Sequence, residues 1–129
     1  MPAVSHNRRR HERLALPPMY AAISARLLKE KRYAREGHAY DISEGGVQFE
    51  LDTPLTPGTP IALRLFLPAS IGGRDASGPV EVFGNVVWCD DSEPGPVRHA
   101  AVFSRFASEQ DRERLLTAIS RNLRSQRAA

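Results

Sequence analysis

Cysteine is almost missing from this 129-residue sequence, which holds Cys89 alone. A lone thiol excludes an internal disulfide framework and a cysteine-based zinc site. Long apolar runs are missing too. None approaches the ~20 residues of a membrane helix, and the basic start leads into no apolar stretch of signal-peptide length. No membrane partner is expected, and the cytoplasm is the expected location. Catalytic signatures are equally scarce. The four histidines are His6, His11, His38 and His99; none stands in nucleophile–base spacing, and no HExxH, GxSxG or P-loop pattern occurs. His38 and His99 fall in strand-like runs, where packing or exposure accounts for them. Asp90-Asp91 reads as a solvated turn, and Cys89, after Trp88, as a small apolar residue. The chain is expected to be no enzyme and to carry neither metal nor cofactor.

Proline and glycine, by contrast, are plentiful, ten and nine, and they cluster between apolar runs. That pattern favours short strands joined by turns. Hydrophobic content of 41% and charged content of 26% belong to an ordinary globular chain of one domain. Tyr20 to Leu28 alternates loosely, with Ile23, Ala25 and Leu27 on one face. Lys29-Glu30-Lys31-Arg32 reads as a hairpin tip, and Gly37 to Ile42 as the returning strand. Val47 to Leu51 is the clearest alternation. Ile61 to Leu67 alternates again, with Ile61, Leu63, Leu65 and Leu67 together. A long loop is expected over 68–79, followed by strands Val80 to Cys89 and Arg98 to Phe106. The period then changes. Ser108 is a good helix N-cap with Glu109 and Asp111 in the first turn, and Leu115, Leu116, Ile119 and Leu123 follow at helical spacing. About six strands and one helix suggest an antiparallel β-barrel plugged or flanked by a C-terminal amphipathic helix.

Charge is uneven along the chain. Residues 1 to 35 hold nine Lys and Arg against Glu12 and Glu30, a net +7; the remainder holds nine against thirteen acids, a net −4. An anionic partner met at the N-terminal end is expected. Guanidinium groups match phosphate oxygens and the O6/N7 edge of guanine, which makes Arg8, Arg9, Arg10 and Arg13 candidates. A solvated tail or a nonspecific polyanion contact reads the same way. The second candidate is Asp41-Ile42-Ser43-Glu44-Gly45-Gly46. Asp41 and Ser43 share one face of an extended chain. A carboxylate accepts paired bonds from guanine N1–H and N2–H, and the glycines Gly45 and Gly46 permit close approach and positive φ. A strand-ending turn whose Asp and Ser bond their own backbone is the alternative.

Taken in order, Arg9-Arg10-His11-Glu12-Arg13 reads RxxxR and Asp41-Ile42-Ser43-Glu44-Gly45-Gly46 reads DxSxxG. With one strand hairpin between them and a β-rich chain and helix after, residues 7 to 124 resemble the PilZ domain family. The resemblance implies a six-stranded antiparallel β-barrel that binds bacterial cyclic di-GMP. Arg9 and Arg13 would clasp guanine Hoogsteen edges and phosphates, Asp41 and Ser43 would recognise a guanine, and Gly46 would leave room for it. Arg8, basic and just before RxxxR, goes in similar domains with two intercalated ligand molecules rather than one. Trp88 stands where similar domains can set an aromatic against the ligand; a barrel-wall tryptophan is the other reading. The expected organisation is a flexible basic arm over 1–12, the barrel with its helix over 13–124, and a disordered tail over 125–129. Two departures stand out: a long span from Arg13 to Asp41, and the enlarged loop 68–79.

The expected function is a receptor and adaptor whose arm orders over the barrel on binding one or two cyclic di-GMP molecules, changing the surface offered to an unknown effector protein. Two rivals remain. One is a PilZ-like interaction module without ligand binding. The other is a basic-arm nucleic-acid binder, disfavoured because the chain beyond residue 35 is net acidic and aromatics are few, 7%.

Overall fold

The computed structural model describes the backbone of residues 13–15, 21–67 and 78–128, with side chains over 21–67 and 78–120. The arm over 1–12, with Arg8 and Arg9, and positions 68–77 of the long loop lie outside the described residues. Among the described residues, seven antiparallel strands precede one helix: β1 (Arg13–Ala15), β2 (Ala21–Leu27), β3 (Arg35–Ser43), β4 (Gly46–Leu51), β5 (Pro60–Phe66), β6 (Val80–Asp90), β7 (Val97–Phe106) and α1 (Glu109–Ala128). Neighbours run β3-β2-β5-β6-β7-β4, and β4 pairs back with β3. Six strands therefore close into a barrel and leave no free edge between them.

The seventh strand is an addition to that ring. β3 is nine residues long, and its first half pairs with β2, Ala39 opposite Ala21. Its second half pairs along the same edge with β1, Arg13 opposite Ser43 and Ala15 opposite Asp41. The other edge of β3 is taken by β4.

Period-two alternation builds the core. Ile23 and Ala25 of β2, Val47, Phe49 and Leu51 of β4, Leu63 and Leu65 of β5, and Val80, Val82 and Val86 of β6 are buried together. The charged run Lys29 to Arg32 lies in the connection 28–34 between β2 and β3. Gly58 takes a φ of 96° at the turn before β5, a conformation open to glycine at no steric cost, and its N–H donates to the Val86 carbonyl at 2.6 Å.

The helix closes one end. Ser108 Oγ accepts from the Asp111 N–H at 3.1 Å, as an N-cap should. Leu115, Ala118 and Ile119 are buried against the barrel. Asp111 Oδ2 accepts from the Glu81 N–H at 3.3 Å, and Arg114 bonds the carbonyls of Gly78 and Pro79. The helix continues to Ala128, four residues past the expected domain end at 124. Residues 109–129 contain no glycine or proline and are rich in arginine, glutamine and alanine, which favour helix.

Among the described residues, His99 is the buried polar group of this core. Its ring stacks on Phe49 with centroids 5.1 Å apart, and Nε2 accepts from the Leu55 N–H at 3.0 Å. An accepting Nε2 requires a neutral ring with its proton on Nδ1, which is itself buried without a hydrogen bond. Burial pushes the imidazole pKa below its ordinary 6.5, against a smaller opposing pull from the Val97 backbone. The unfolded chain then binds the proton more readily, so this group's contribution is full above 6.5 and declines as pH falls below it. The melting temperature should drop between about pH 7.5 and 5.5. A His99→Gln variant, less stable at neutral pH, should show a shallower drop over the same interval in thermal melts followed by circular dichroism.

Candidate functional site

Two β-bulges decide which side chains reach the outside of the barrel. Along β3, Gly37 and Ala39 follow the inward series. The register then shifts between Ala39 and Asp41, leaving Tyr40 as an extra residue. Beyond it Ile42 is buried, while Asp41 and Ser43 are half-exposed. Along β6, Val80, Val82 and Val86 are buried, so unbroken alternation would carry Trp88 inward as well. A shift between Val86 and Trp88 inserts Val87. Val87 and Trp88 then both face out, 52% and 45% exposed. Bulges re-aim side chains in this way.

The ladder places those re-aimed residues in one row. Ala15 stands opposite Asp41, Asp41 opposite Gln48, Gln48 opposite Ala100, and Ala100 opposite Trp88. Directly opposite residues share a face of the sheet. Three strand spacings of about 4.8 Å set Trp88 about 14 Å across the outer wall from Asp41. Val102, 51% exposed, lies beside this row, opposite Gly46. Arg13 stands opposite Ser43, which sets their Cα atoms about 5 Å apart. Asp41, Ser43, Trp88 and the backbone of Arg13 are thus brought to one side of the barrel.

The bend itself is tied down. The Gly45 N–H donates to Ser43 Oγ at 3.1 Å, and that hydroxyl faces the Gly46 carbonyl at 3.5 Å. The Gly45 carbonyl accepts from the Phe103 N–H at 2.9 Å. Glu44 reaches the helix, where it pairs with Arg112 at 2.6 Å. The same Arg112 bonds Glu109 at 3.1 Å. The hydrogen bond to Glu44 holds the Arg112 pKa above the ordinary guanidinium value. A cleft of about 490 Å³ lies against the bend, lined by Glu44, Gly45, Arg105 and Arg112 among others.

The glycines act differently from the sequence expectation. The positive-φ glycines of the described residues are Gly58, Gly78 and Gly95, so this bend turns without a left-handed glycine. A Cβ on Gly46 would meet the Ala101 carbonyl oxygen at 2.5 Å. Gly46 is therefore needed where β4 crosses β7, whatever room it also leaves outside. Gln48, Val102 and Arg112 escaped the sequence reading. Gln48 is outward in a clean alternation, but its place beside Asp41 comes from pairing alone. Among the described residues no group of three or more His, Cys, Asp and Glu side chains could hold a metal ion. Among them, too, no helix is long and apolar enough to cross a membrane.

A closed six-stranded antiparallel barrel with a DxSxxG bend on its wall is the architecture of a known class of domain. The family model described as PilZ domain matches residues 7–121, and the chain belongs to that family. No curated protein matches the sequence. Among solved structures, the PilZ domain with c-di-GMP of YcgR from Escherichia coli has a TM-score of 0.66 at 19% identity, over 94% of this chain and 95% of that one. The MrkH–c-di-GMP complex of K. pneumonia has a TM-score of 0.63 at 20% identity, over 94% of this chain and 55% of that one. The Bacillus subtilis inhibitor of motility, MotI/DgrA, has 0.65 at 18%, over 90% and 52%. This chain thus spans about half the length of the last two. At such identities the likeness shows the fold.

A Gly46→Ala variant is expected to lose on the order of 1–3 kcal/mol, the usual cost of overpacking a tight contact. Urea unfolding checks this: an unchanged midpoint would mean that β4 and β7 do not approach as closely as described.

Proposed function

We propose that this chain is a bacterial receptor for cyclic di-GMP and works as an adaptor rather than an enzyme. The observation that carries the reading is the register of β1 on β3. The second arginine of RxxxR, Arg13, is laddered opposite Ser43 of DxSxxG, so the two motifs, separated in sequence by residues 14–40, meet on adjacent strands. A ligand with two phosphates and two guanines would be held between them. Arg9 and Arg13 would take guanine Hoogsteen edges and phosphates, Asp41 and Ser43 a guanine edge, and Trp88 a guanine face across the row. Ser43 would have to loosen its bond to the Gly45 N–H to turn toward the ligand.

Ordering of the arm is the coupling step. Fixing residues 8 to 12 costs on the order of 5–10 kcal/mol of backbone entropy. Charge-assisted hydrogen bonds return about 1.5–3 kcal/mol each, so about four must form. Two arginines in paired geometry supply that number, and Arg8 adds to it where a second ligand molecule stacks on the first. The arm laid over the barrel then offers a new surface to an effector protein in the cytoplasm.

Calorimetric titration of cyclic di-GMP tests the reading. The wild type is expected to bind with micromolar or tighter affinity. Arg13→Ala and Asp41→Ala should each weaken binding about 10- to 100-fold, the loss of one charge-assisted contact of about 1.5–3 kcal/mol. Absence of wild-type heat would reject the ligand and leave an interaction module. Tight, steeply salt-dependent binding of RNA or DNA, indifferent to Asp41→Ala, would reject it in favour of a nucleic-acid binder.

A further inference from the structure

Five large apolar side chains of the described residues are exposed: Leu28, Phe66, Val87, Trp88 and Val102. The last three belong to the row around Asp41 and Trp88. Leu28 and Phe66 do not, and each sits in a charged setting of opposite sign.

Leu28 crowns the β2–β3 hairpin among Lys29, Lys31 and Arg32, all exposed. No carboxylate among the described residues pairs with any of these three cations. The one acid of the tip, Glu30, is used internally: it pairs with Arg35 at 2.6 Å and accepts from the Leu27 N–H at 3.0 Å. The tip is also braced. The Arg26 guanidinium bonds the carbonyls of Leu27, Leu28 and Glu30 at 3.4, 3.2 and 2.9 Å. Tyr33 donates to Glu81 at 2.5 Å, and Arg64 stacks 3.9 Å over its ring. A loop that only carried solvated charge would need none of this.

Phe66 borders a groove of about 600 Å³ on the outer wall of the same hairpin, lined by Ala22, Ser24, Phe66 and Pro96 with Glu36, Glu50 and Asp52. These three carboxylates make no ion pair among the described residues. The ladder carries the groove across four strands, Phe66 opposite Ala22 and Ala22 opposite His38, with Glu50 next beyond His38.

Three cations around an exposed leucine, with no salt bridge among the described residues, thus have a counterpart in three carboxylates around an exposed phenylalanine that likewise form none among them. We propose that the chain self-associates through these surfaces, the tip Leu28–Arg32 of one copy seated in the groove Glu36–Glu50–Asp52–Phe66 of another. Tip and groove lie on one hairpin, about 13 Å apart from Ser24 to Leu28 at strand rise. A two-fold axis can therefore satisfy both contacts at once, as a self-complementary patch requires. A lipid surface fits less well. Three cations attract an anionic leaflet only weakly, and a fluid headgroup layer has no use for a rigidly braced tip. Neither half of the contact includes Asp41, Ser43 or Trp88, so association is expected without the dinucleotide and its failure would leave the receptor reading untouched.

Sedimentation velocity of the full chain, from low to high micromolar concentration, is the test, since a contact this small falls at the weak end of specific interfaces. The wild type should shift toward twice the monomer mass as concentration rises. Lys31→Glu/Arg32→Glu and Glu36→Lys/Asp52→Lys should each stay monomeric, and an equal mixture of the two should recover the dimer through one native and one reversed contact. These side chains are exposed, so circular dichroism should be unchanged. A monomeric wild type overturns the proposal, as does a dimer that survives both reversals or a mixture that stays monomeric. Binding of a monomeric wild type to phosphatidylglycerol vesicles, lost in Lys31→Glu/Arg32→Glu, would also overturn it and assign the tip to lipid.

Discussion

The double pairing of β3 is the constraint on which the rest of this structure depends. One edge of the strand holds β2 and then β1, the other holds β4, and the barrel cannot close without both. In a closed barrel every residue is committed to inside or outside, because neighbours in the ladder fix its face. A shift of one residue reverses every later side chain on the strand. The extra residues Tyr40 and Val87 make that reversal twice, at the same level of the barrel. Without the first, an ionised Asp41 would enter an interior of isoleucine, valine and phenylalanine, at a cost of several kcal/mol or more. With it, the carboxylate stands on the outer wall and Ile42 fills the core.

The same wall is stiffened from behind. The Gly45 carbonyl is bonded to β7, Gly46 lets β4 cross β7 at close range, and Glu44 is paired with Arg112 of the helix. The Glu44–Arg112 pair is partly exposed and therefore modest in energy, but it links the DxSxxG bend to α1. A wall tied down before binding lowers the entropy that any ligand must offset there.

Much of this was legible in the chain. Val47, Phe49 and Leu51 announce β4 because a half-buried strand needs alternation. Ser108 with Glu109 and Asp111 announces the helix, since its first N–H groups need acceptors. The cationic tip at Lys29 to Arg32 marks the hairpin, and the ordered pair RxxxR and DxSxxG marks the family that residues 7–121 match. These are local or periodic signals, and local chemistry suffices to read them.

Other features exist only through pairing. Alternation from Val80 through Val86 points Trp88 inward, and only the ladder against Ala100 shows it outside. Nothing near Gln48 in sequence says that Asp41 and Ala100 flank it. Nothing near Gly46 says that the Ala101 carbonyl oxygen excludes a side chain there. The chain by itself determined the six barrel strands, the turns, the N-cap and the two motifs, because each depends on neighbours within a few residues. Tertiary structure decided which motif residues face solvent, which meet, and why Gly46 is glycine. Those depend on register between strands dozens of residues apart, and closure of the barrel sets that register.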